Sequence, residues 1–537
     1  MLALSRASAS FSRAGRASSR MLRLPRSLPA VPRPSHCRGM ASSSSHTAEA
    51  HPPTPALHPA LISLLDDLDQ LSPHFLLDPG QVEILSTPSE FYATLKSKIL
   101  ASKRHIFLAT LYIGRTEHDL IDTLRRALRE NSDLQVHLLT DALRGTREAP
   151  NASCASLMAS LAADYPDRVH VRLFHTPKLR GLAKAVTPVR LNEGWGLQHM
   201  KLYGFDDDII LSGANLSEDY FTNRQDRYYL FHSAEVTAYY RRIFDVVSSV
   251  SYRLHPDSSV PCQFRLSWPN EPSSAPEPTK HPNSFCRAAT ALIAPLLCPP
   301  TTTLPSSATS LASQVTQTIF YPVSQLTPIL TPNTSTEAPA IERLLNVLAD
   351  PDHFSWMFTA GYFNLHPLYR SKLLESNPES GVIITAAPEA NGFYQSAGVS
   401  KYLPPAYTAL AHDFVKDVAS RKKSSAIKLL EWQNGVLNQP GGWTYHAKGI
   451  WITPPAESTP CITVIGSSNF TRRSHTMDLE SNGIIVTVDE VLRQNMAIET
   501  TNLKKFTRVM EEIDFHAENR KVGAGVKMAL AVLGLAL

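Results

Sequence analysis

The chain has 537 residues, 43% hydrophobic and 19% charged, a balance ordinary for a soluble globular protein with room for roughly two to four domains. Its net charge of +4 includes eight arginines in the first 40 residues, so the remainder is slightly acidic, which argues against a general electrostatic grip on nucleic acid. No apolar run reaches the roughly 18 residues of a membrane span, and Cys37, Cys154, Cys262, Cys286, Cys298 and Cys461 form no C-x-x-C pair and no common zinc spacing, which predicts no bound metal.

Residues 1–40 hold eight Arg and eight Ser, with no Lys and no acid before Glu49. That composition predicts a mitochondrial transit peptide, with a disordered basic arm as the alternative. Residues 41–80 read as a lead-in. From 81 to 255, strand-like runs such as HIFLATLYIG (105–114) and LQVHLLTDA (134–142) alternate with helix-like stretches, EHDLIDTLRRALREN (117–131) and EVTAYYRRIFDVVSSVSYRL (235–254). Residues 256–335, rich in Pro, Ser and Thr, predict a linker or insertion. The alternation returns from 336 to 516, with PAIERLLNVLAD (339–350) and AYTALAHDFVKDVASR (406–421) as helices. Such alternation predicts α/β layers with helices covering a sheet. An apolar tail, 517–537, either touches a membrane interface or covers a core groove.

The two alternating regions are copies of each other. HIFLATLYIG is echoed by FSWMFTAGYFN (354–364), and LQVHLLTDA by SGVIITAAP (380–388). His199 and Lys201 in QHMKLYGF recur as His446 and Lys448 in YHAKGIWI, 247 residues on. A small-small-x-Asn turn follows in each copy, ending at Asn215 and Asn469, and an acid stands eleven residues beyond each Asn, at Asp226 and Glu480. A lone H-x-K carries little weight, but the whole set occurring twice in register does. On a strand the His and Lys of H-x-K share a face. Imidazole serves as nucleophile, base or acid near neutrality, a carboxylate behind it fixes its tautomer, and Lys and Asn donate to oxygens that gather negative charge. Two such half-sites facing each other suit one phosphoryl group and require no metal.

His199-x-Lys201-x4-Asp206 is the H-x-K-x4-D pattern of the phospholipase D superfamily. Within it, DALRGTR (141–147), the run from His199 through DRY, and YHAKGIW, GSSNFTRRS and DLE resemble the mitochondrial phosphatidylglycerophosphate synthases. The likeness runs from about residue 80 to 516, apart from the Pro/Ser/Thr-rich middle. Thr453 stands where the second motif would carry its acid, so Asp206 reads as a support residue without a twin. The resemblance implies two α-β-α repeats in one chain, forming a pseudo-twofold bilobal α/β enzyme with one shared active site. It implies CDP-diacylglycerol as donor, sn-glycerol 3-phosphate as acceptor, and no cofactor or nucleic acid. His199 would be the nucleophile and His446 the acid and base, an assignment that symmetry alone leaves open. Lys201, Lys448, Asn215 and Asn469 would hold phosphoryl oxygens, while Asp226 and Glu480 would orient the two His, each serving its own half or the opposite one. Arg144, Arg147, Arg227 and Arg473 are the candidates for the acceptor's dianion. A lipid donor implies peripheral contact with membrane lipid, and the leader places the protein at the mitochondrial inner membrane, on the matrix side. The rivals are a phosphatidylserine synthase, a cardiolipin-type transferase or phospholipase, a nucleic-acid phosphodiesterase and a catalytically dead scaffold.

Overall fold

Runs of β-branched and aromatic residues, which suit a pleated, buried surface, assemble into two nine-stranded sheets, one for each repeat. The computed structural model describes residues 57–181, 184, 187, 192–269, 275–299, 318–523 and 526, all within one compact unit, 54–537. In the first sheet His105–Ala109 pairs in parallel with Gln135–Asp141, and that strand with Val169–Phe174. On its other side lie, antiparallel in succession, Leu202–Phe205, Asp208–Ser212 and Tyr228–His232. The second sheet repeats this order and sense strand for strand. Ser355–Ala360 is parallel to Gly381–Ala386, which is parallel to Ile427–Trp432. On the far side follow Lys448–Thr453, Ile462–Gly466 and Glu480–Thr487, each antiparallel to the last.

Helices cover the outer face of each sheet, as the alternation predicts. Helix His118–Glu130 turns Leu120, Ile121, Leu124 and Leu128 inward, where they join Phe91, Met158 and Tyr203 in the outer core of the first half. Helices Glu337–Asn346 and Leu403–Ser420 cover the second sheet in the same way. Between the sheets lies a third core drawn from both halves, including Phe107, Met200 and Tyr240 from the first and Phe320, Trp451 and Ile485 from the second. The halves therefore bury apolar surface against each other, the main favourable term in association.

The element boundaries differ from expectation in three places. The stretch expected as a linker, 256–335, is in large part built into the body. Phe264–Ser267 extends the first sheet, helix Pro282–Leu297 buries Phe285, Ala289 and Ile293 in the shared core, and Thr318–Gln325 is a fully buried strand beside Glu480–Thr487. Its high proline content masked these apolar positions; 270–274 and 300–317 lie outside the described residues. The lead-in likewise contributes helix Pro59–Asp69, with four buried leucines, and strand Phe75–Leu77. At the other end the body continues to Arg520, buried and paired with Glu431 at 2.8 Å. The expected leader, 1–40, and most of the apolar tail fall outside the described residues. Among the described residues no helix is long and apolar enough to cross a membrane.

Candidate active site

Each H-x-K segment docks on the acid-bearing strand of the opposite half. The His199 N–H donates to the Leu479 carbonyl at 2.9 Å, and the Leu479 N–H returns a bond to Leu197 at 2.8 Å. The other half mirrors this: the His446 N–H donates to the Gln225 carbonyl at 2.8 Å, and Thr444–Tyr445 pairs in parallel with Arg224–Gln225. The crossing carries over to the side chains. His199 Nδ1 lies 2.9 Å from both carboxylate oxygens of Glu480, and His446 Nδ1 lies 2.6 Å from Asp226 Oδ2. With its Nδ1 proton held by a carboxylate, each imidazole presents an Nε2 lone pair. Neither histidine has a complete site within its own repeat.

The small-small-x-Asn turns make room for these acids. A Cβ at Gly213 would stand 2.6 Å from Asp226 Oδ1 and 2.8 Å from Lys448 Nζ, so only glycine fits between them. At the matching place in the second half Ser467 uses its hydroxyl, donating to Glu480. Both lysines are fully buried behind the histidines. Lys201 Nζ donates to the His199 carbonyl at 2.6 Å. Lys448 Nζ lies 2.8 Å from His446 Nδ1 and 3.8 Å from Asp226. Because the Nδ1 proton is directed at Asp226, this ammonium lies beside the ring and keeps donors for another oxygen.

Burial governs the electrostatics. It lowers Lys201 to about 7 and Lys448 to about 8 and raises Glu480 to about 7, in each case by disfavouring the charged form. Both histidines lie well below 6.5, through burial first and then the adjacent lysine. They are neutral at physiological pH, the form in which an imidazole attacks.

His199, His446, Asn215 and Asn469 line a cavity of about 390 Å³, together with Arg144, Arg147 and Arg473. Asn215 Nδ2 donates to the Tyr220 hydroxyl at 3.1 Å, which in turn lies 3.4 Å from His446 Nε2. Asn469 Oδ1 is buried without a hydrogen-bond partner among the described residues. The three arginines are held in place: Arg144 stacks on Tyr112 at 3.9 Å, Arg147 pairs with Glu193, and Arg473 pairs with Asp478 at 2.8 Å.

Two expected site residues lie elsewhere. Asp206 is not in the cavity. It occupies the two-residue hairpin between Leu202–Phe205 and Asp208–Ser212 with a φ of 51°, a conformation Asp tolerates. There its carboxylate accepts from the N–H groups of Lys103, Arg104 and His105 at 2.7–2.9 Å. Its place at the far end of the strand from His199 makes it an anchor for the strand beginning at His105. Arg227 is not a substrate ligand either, for it is 1% exposed and every N–H is engaged. Its Nε donates to Glu499 at 2.7 Å, Nη1 to the Lys448 and Val464 carbonyls, and Nη2 to Thr463 and Tyr229. A side chain at Gly449 would collide with this guanidinium.

The cavity also contains residues that motif reading passed over. Asp219, Tyr220, Arg224, Tyr362, Phe393, Tyr407 and Asp478 all line it. Motif frequency offers no signal for them, but the repeat does: the 254-residue offset of the Asn and acid pairs carries Asp219 onto Arg473 and Arg224 onto Asp478.

Two matching α/β halves, with paired H-x-K motifs and crossed carboxylates at one cavity, define a phospholipase D-like protein. Residues 95–247 match the family model described as cardiolipin synthase, PLD-like domain. A solved structure of phosphatidylserine synthase from Haemophilus influenzae shares the fold, with a TM-score of 0.67 at 20% identity, over 88% of this chain and 96% of that one. Among curated relatives, the CDP-diacylglycerol--glycerol-3-phosphate 3-phosphatidyltransferase of Saccharomyces cerevisiae is 46% identical, over 86% of this chain and 89% of its own length. Its Homo sapiens counterpart, named as mitochondrial, is 34% identical over 86% and 84%. The chain belongs to the CDP-diacylglycerol--glycerol-3-phosphate 3-phosphatidyltransferase family.

Proposed function

We propose that the protein transfers the phosphatidyl group of CDP-diacylglycerol to the primary hydroxyl of sn-glycerol 3-phosphate, giving phosphatidylglycerophosphate and CMP. The observation that carries this reading is the pair of crossed His–carboxylate contacts opening on one cavity, in a chain of this family. His199 Nε2 attacks the phosphorus that bears diacylglycerol. A P–N bond forms, the P–O bond to CMP breaks, and CMP leaves with the electron pair. Glu480, holding the Nδ1 proton, stabilises the cationic phosphatidyl-imidazole. His446 gives a proton to the departing CMP, its basicity raised by the anionic diphosphate beside it. It then removes the proton from the acceptor hydroxyl, whose oxygen attacks phosphorus while the P–N electrons return to His199. Lys201, Lys448, Asn215 and Asn469 hold the phosphoryl oxygens, and Arg144, Arg147 and Arg473 neutralise the substrates' remaining charge.

The donor is a lipid, so the cavity works at a membrane surface. Trp195 and Tyr402, 37% and 39% exposed, are next-but-one and next in sequence to the cavity-lining Leu197 and Leu403, and such amphipathic rings favour a headgroup region. The mammalian relatives are named as mitochondrial. Together with the composition of 1–40, this supports a mitochondrial enzyme attached peripherally to the inner membrane from the matrix side. Purified protein given CDP-diacylglycerol with labelled glycerol 3-phosphate, serine or water alone tests the reading. Label is expected in phosphatidylglycerophosphate; transfer to serine, or hydrolysis without transfer, would overturn it.

A further inference from the structure

The two halves carry the same ion pair with its charges exchanged. In the first, Asp219 pairs with Arg224 at 2.7 Å; in the second, Arg473 pairs with Asp478 at 2.8 Å. The positions correspond under the 254-residue offset, both pairs begin on matching short helices, Glu218–Thr222 and Arg472–Thr476, and all four residues line the cavity. Reversing the order puts an arginine on each wall at places the pseudo-twofold does not relate. The site is thereby made asymmetric around two nearly symmetric histidines.

The two arginines are held by different partners. Arg473, on the His199 wall, spends Nε and Nη2 on Asp478 and on the Glu193 carbonyl at 2.7 Å. Arg224 is on the His446 wall. Its Nε donates to Thr444, two residues before His446, at 2.9 Å, and Nη2 pairs with Asp219. Its guanidinium lies over Tyr220, 4.5 Å from the ring centroid, and Tyr220 is the residue whose hydroxyl approaches His446. Across from it stands Gly392, where a Cβ would sit 3.2 Å from both Arg224 Nη2 and the Tyr362 hydroxyl. Gly392 thus packs closely against both groups, which line the cavity with it.

Displacement in line with His199 brings the acceptor hydroxyl in past His446. The acceptor's own phosphate then trails several bonds behind, farther out along the same wall. We propose that Arg224, with the Tyr362 hydroxyl, is the seat for that phosphomonoester and selects a phosphorylated alcohol as acceptor. The inference rests on the phosphatidyl-transfer reading above.

The test is steady-state transfer from CDP-diacylglycerol by the full chain in detergent, comparing glycerol 3-phosphate with unphosphorylated glycerol. Arg224→Gln is expected to raise KM for glycerol 3-phosphate at least tenfold and to cut its preference over glycerol by a similar factor. Transfer to glycerol itself should fall far less. Tyr362→Phe is expected to move the same preference in the same direction by a smaller factor, and it decides the matter should Arg224→Gln fail to fold. Wild-type preference retained in the folded variant would overturn this inference alone. Wild-type protein that does not use glycerol 3-phosphate would instead overturn the transfer reading.

Discussion

Arg227 offers the sharpest separation between a substrate ligand and a structural strut. Arg227→Met removes one partner of a buried pair and leaves Glu499, whose side chain is 9% exposed, as an uncompensated charge. Breaking a buried pair in this way costs about 3–5 kcal/mol. Orphaning the Val464 and Lys448 carbonyls and losing contact with Trp451, 3.9 Å from the guanidinium, adds about 1 kcal/mol or more. Against a total stability of about 5–15 kcal/mol, that is a large fraction, and a fall in melting temperature of roughly 10 °C is expected. The double variant Arg227→Met/Glu499→Gln removes the stranded charge while leaving an acceptor for Tyr229 and Trp451, which both donate to Glu499. It should recover about half of the loss, a coupling of about 2–3 kcal/mol. Thermal and urea unfolding in detergent read the stability, and KM for glycerol 3-phosphate is measured on the folded fraction. An unchanged melting temperature with a strongly raised KM would refute the strut and restore Arg227 to the substrate site.

The remaining expectations concern the reacting groups and the hairpin. Glu480→Gln and Asp226→Asn each leave a histidine without its carboxylate, and by the loss seen when a triad acid is amidated kcat should fall about 10³–10⁴-fold; a loss under tenfold would contradict the crossed pairs. Burial lowers Lys201 to about 7 and Lys448 to about 8, so the ammonium groups are lost as pH rises through 7–8. Glu480, raised to about 7, is protonated below that, so kcat/KM is expected to be a narrow bell near pH 7–8; an alkaline limb at the ordinary lysine value would be inconsistent with this. The same depressed lysines bind fewer protons folded than unfolded between about pH 7 and 10.5, so their contribution to stability rises with pH across that range. Lys201→Met removes that buried cation and should raise stability at pH 7 while abolishing transfer, read by unfolding and product formation in parallel. Asp206→Asn keeps the hairpin but weakens three charge-assisted bonds, so a loss of about 1–3 kcal/mol is expected with kcat nearly unchanged in the folded protein.

Most of the chemistry was legible because it is written twice. His199 and His446, the two lysines, the two asparagines and the two acids recur at fixed offsets, and the sheets repeat strand for strand. The crossing of the acids was open in sequence, since spacing within a strand says nothing about which half its neighbour comes from. The pairing of His199 with Leu479 and of His446 with Gln225 decides it. Arg227 was misread as a substrate ligand, and what Asp206 supports was open, for one reason. Both stand inside the motif frame, yet one caps a hairpin turn and the other spans the two halves, and only tertiary packing separates these roles from catalysis. The folded segments within 256–335 were hidden by proline, which marks loops statistically but here sits at a helix N-terminus (Pro282) and within a buried strand (Pro322). The exchanged ion pairs were present in the offset but invisible to motif matching, because their chemistry reverses while their positions repeat.

The central claim is a covalent relay on His199 completed by the other half of the chain. The most direct measurement is to mix the protein with CDP-diacylglycerol labelled in the diacylglycerol-bearing phosphate, without acceptor, and to quench in base. An acid-labile, base-stable phosphohistidine is expected, mapped by mass spectrometry to the peptide containing His199 and absent from His199→Ala. Label on His446, or transfer proceeding with no labelled protein at any time point, would contradict the account.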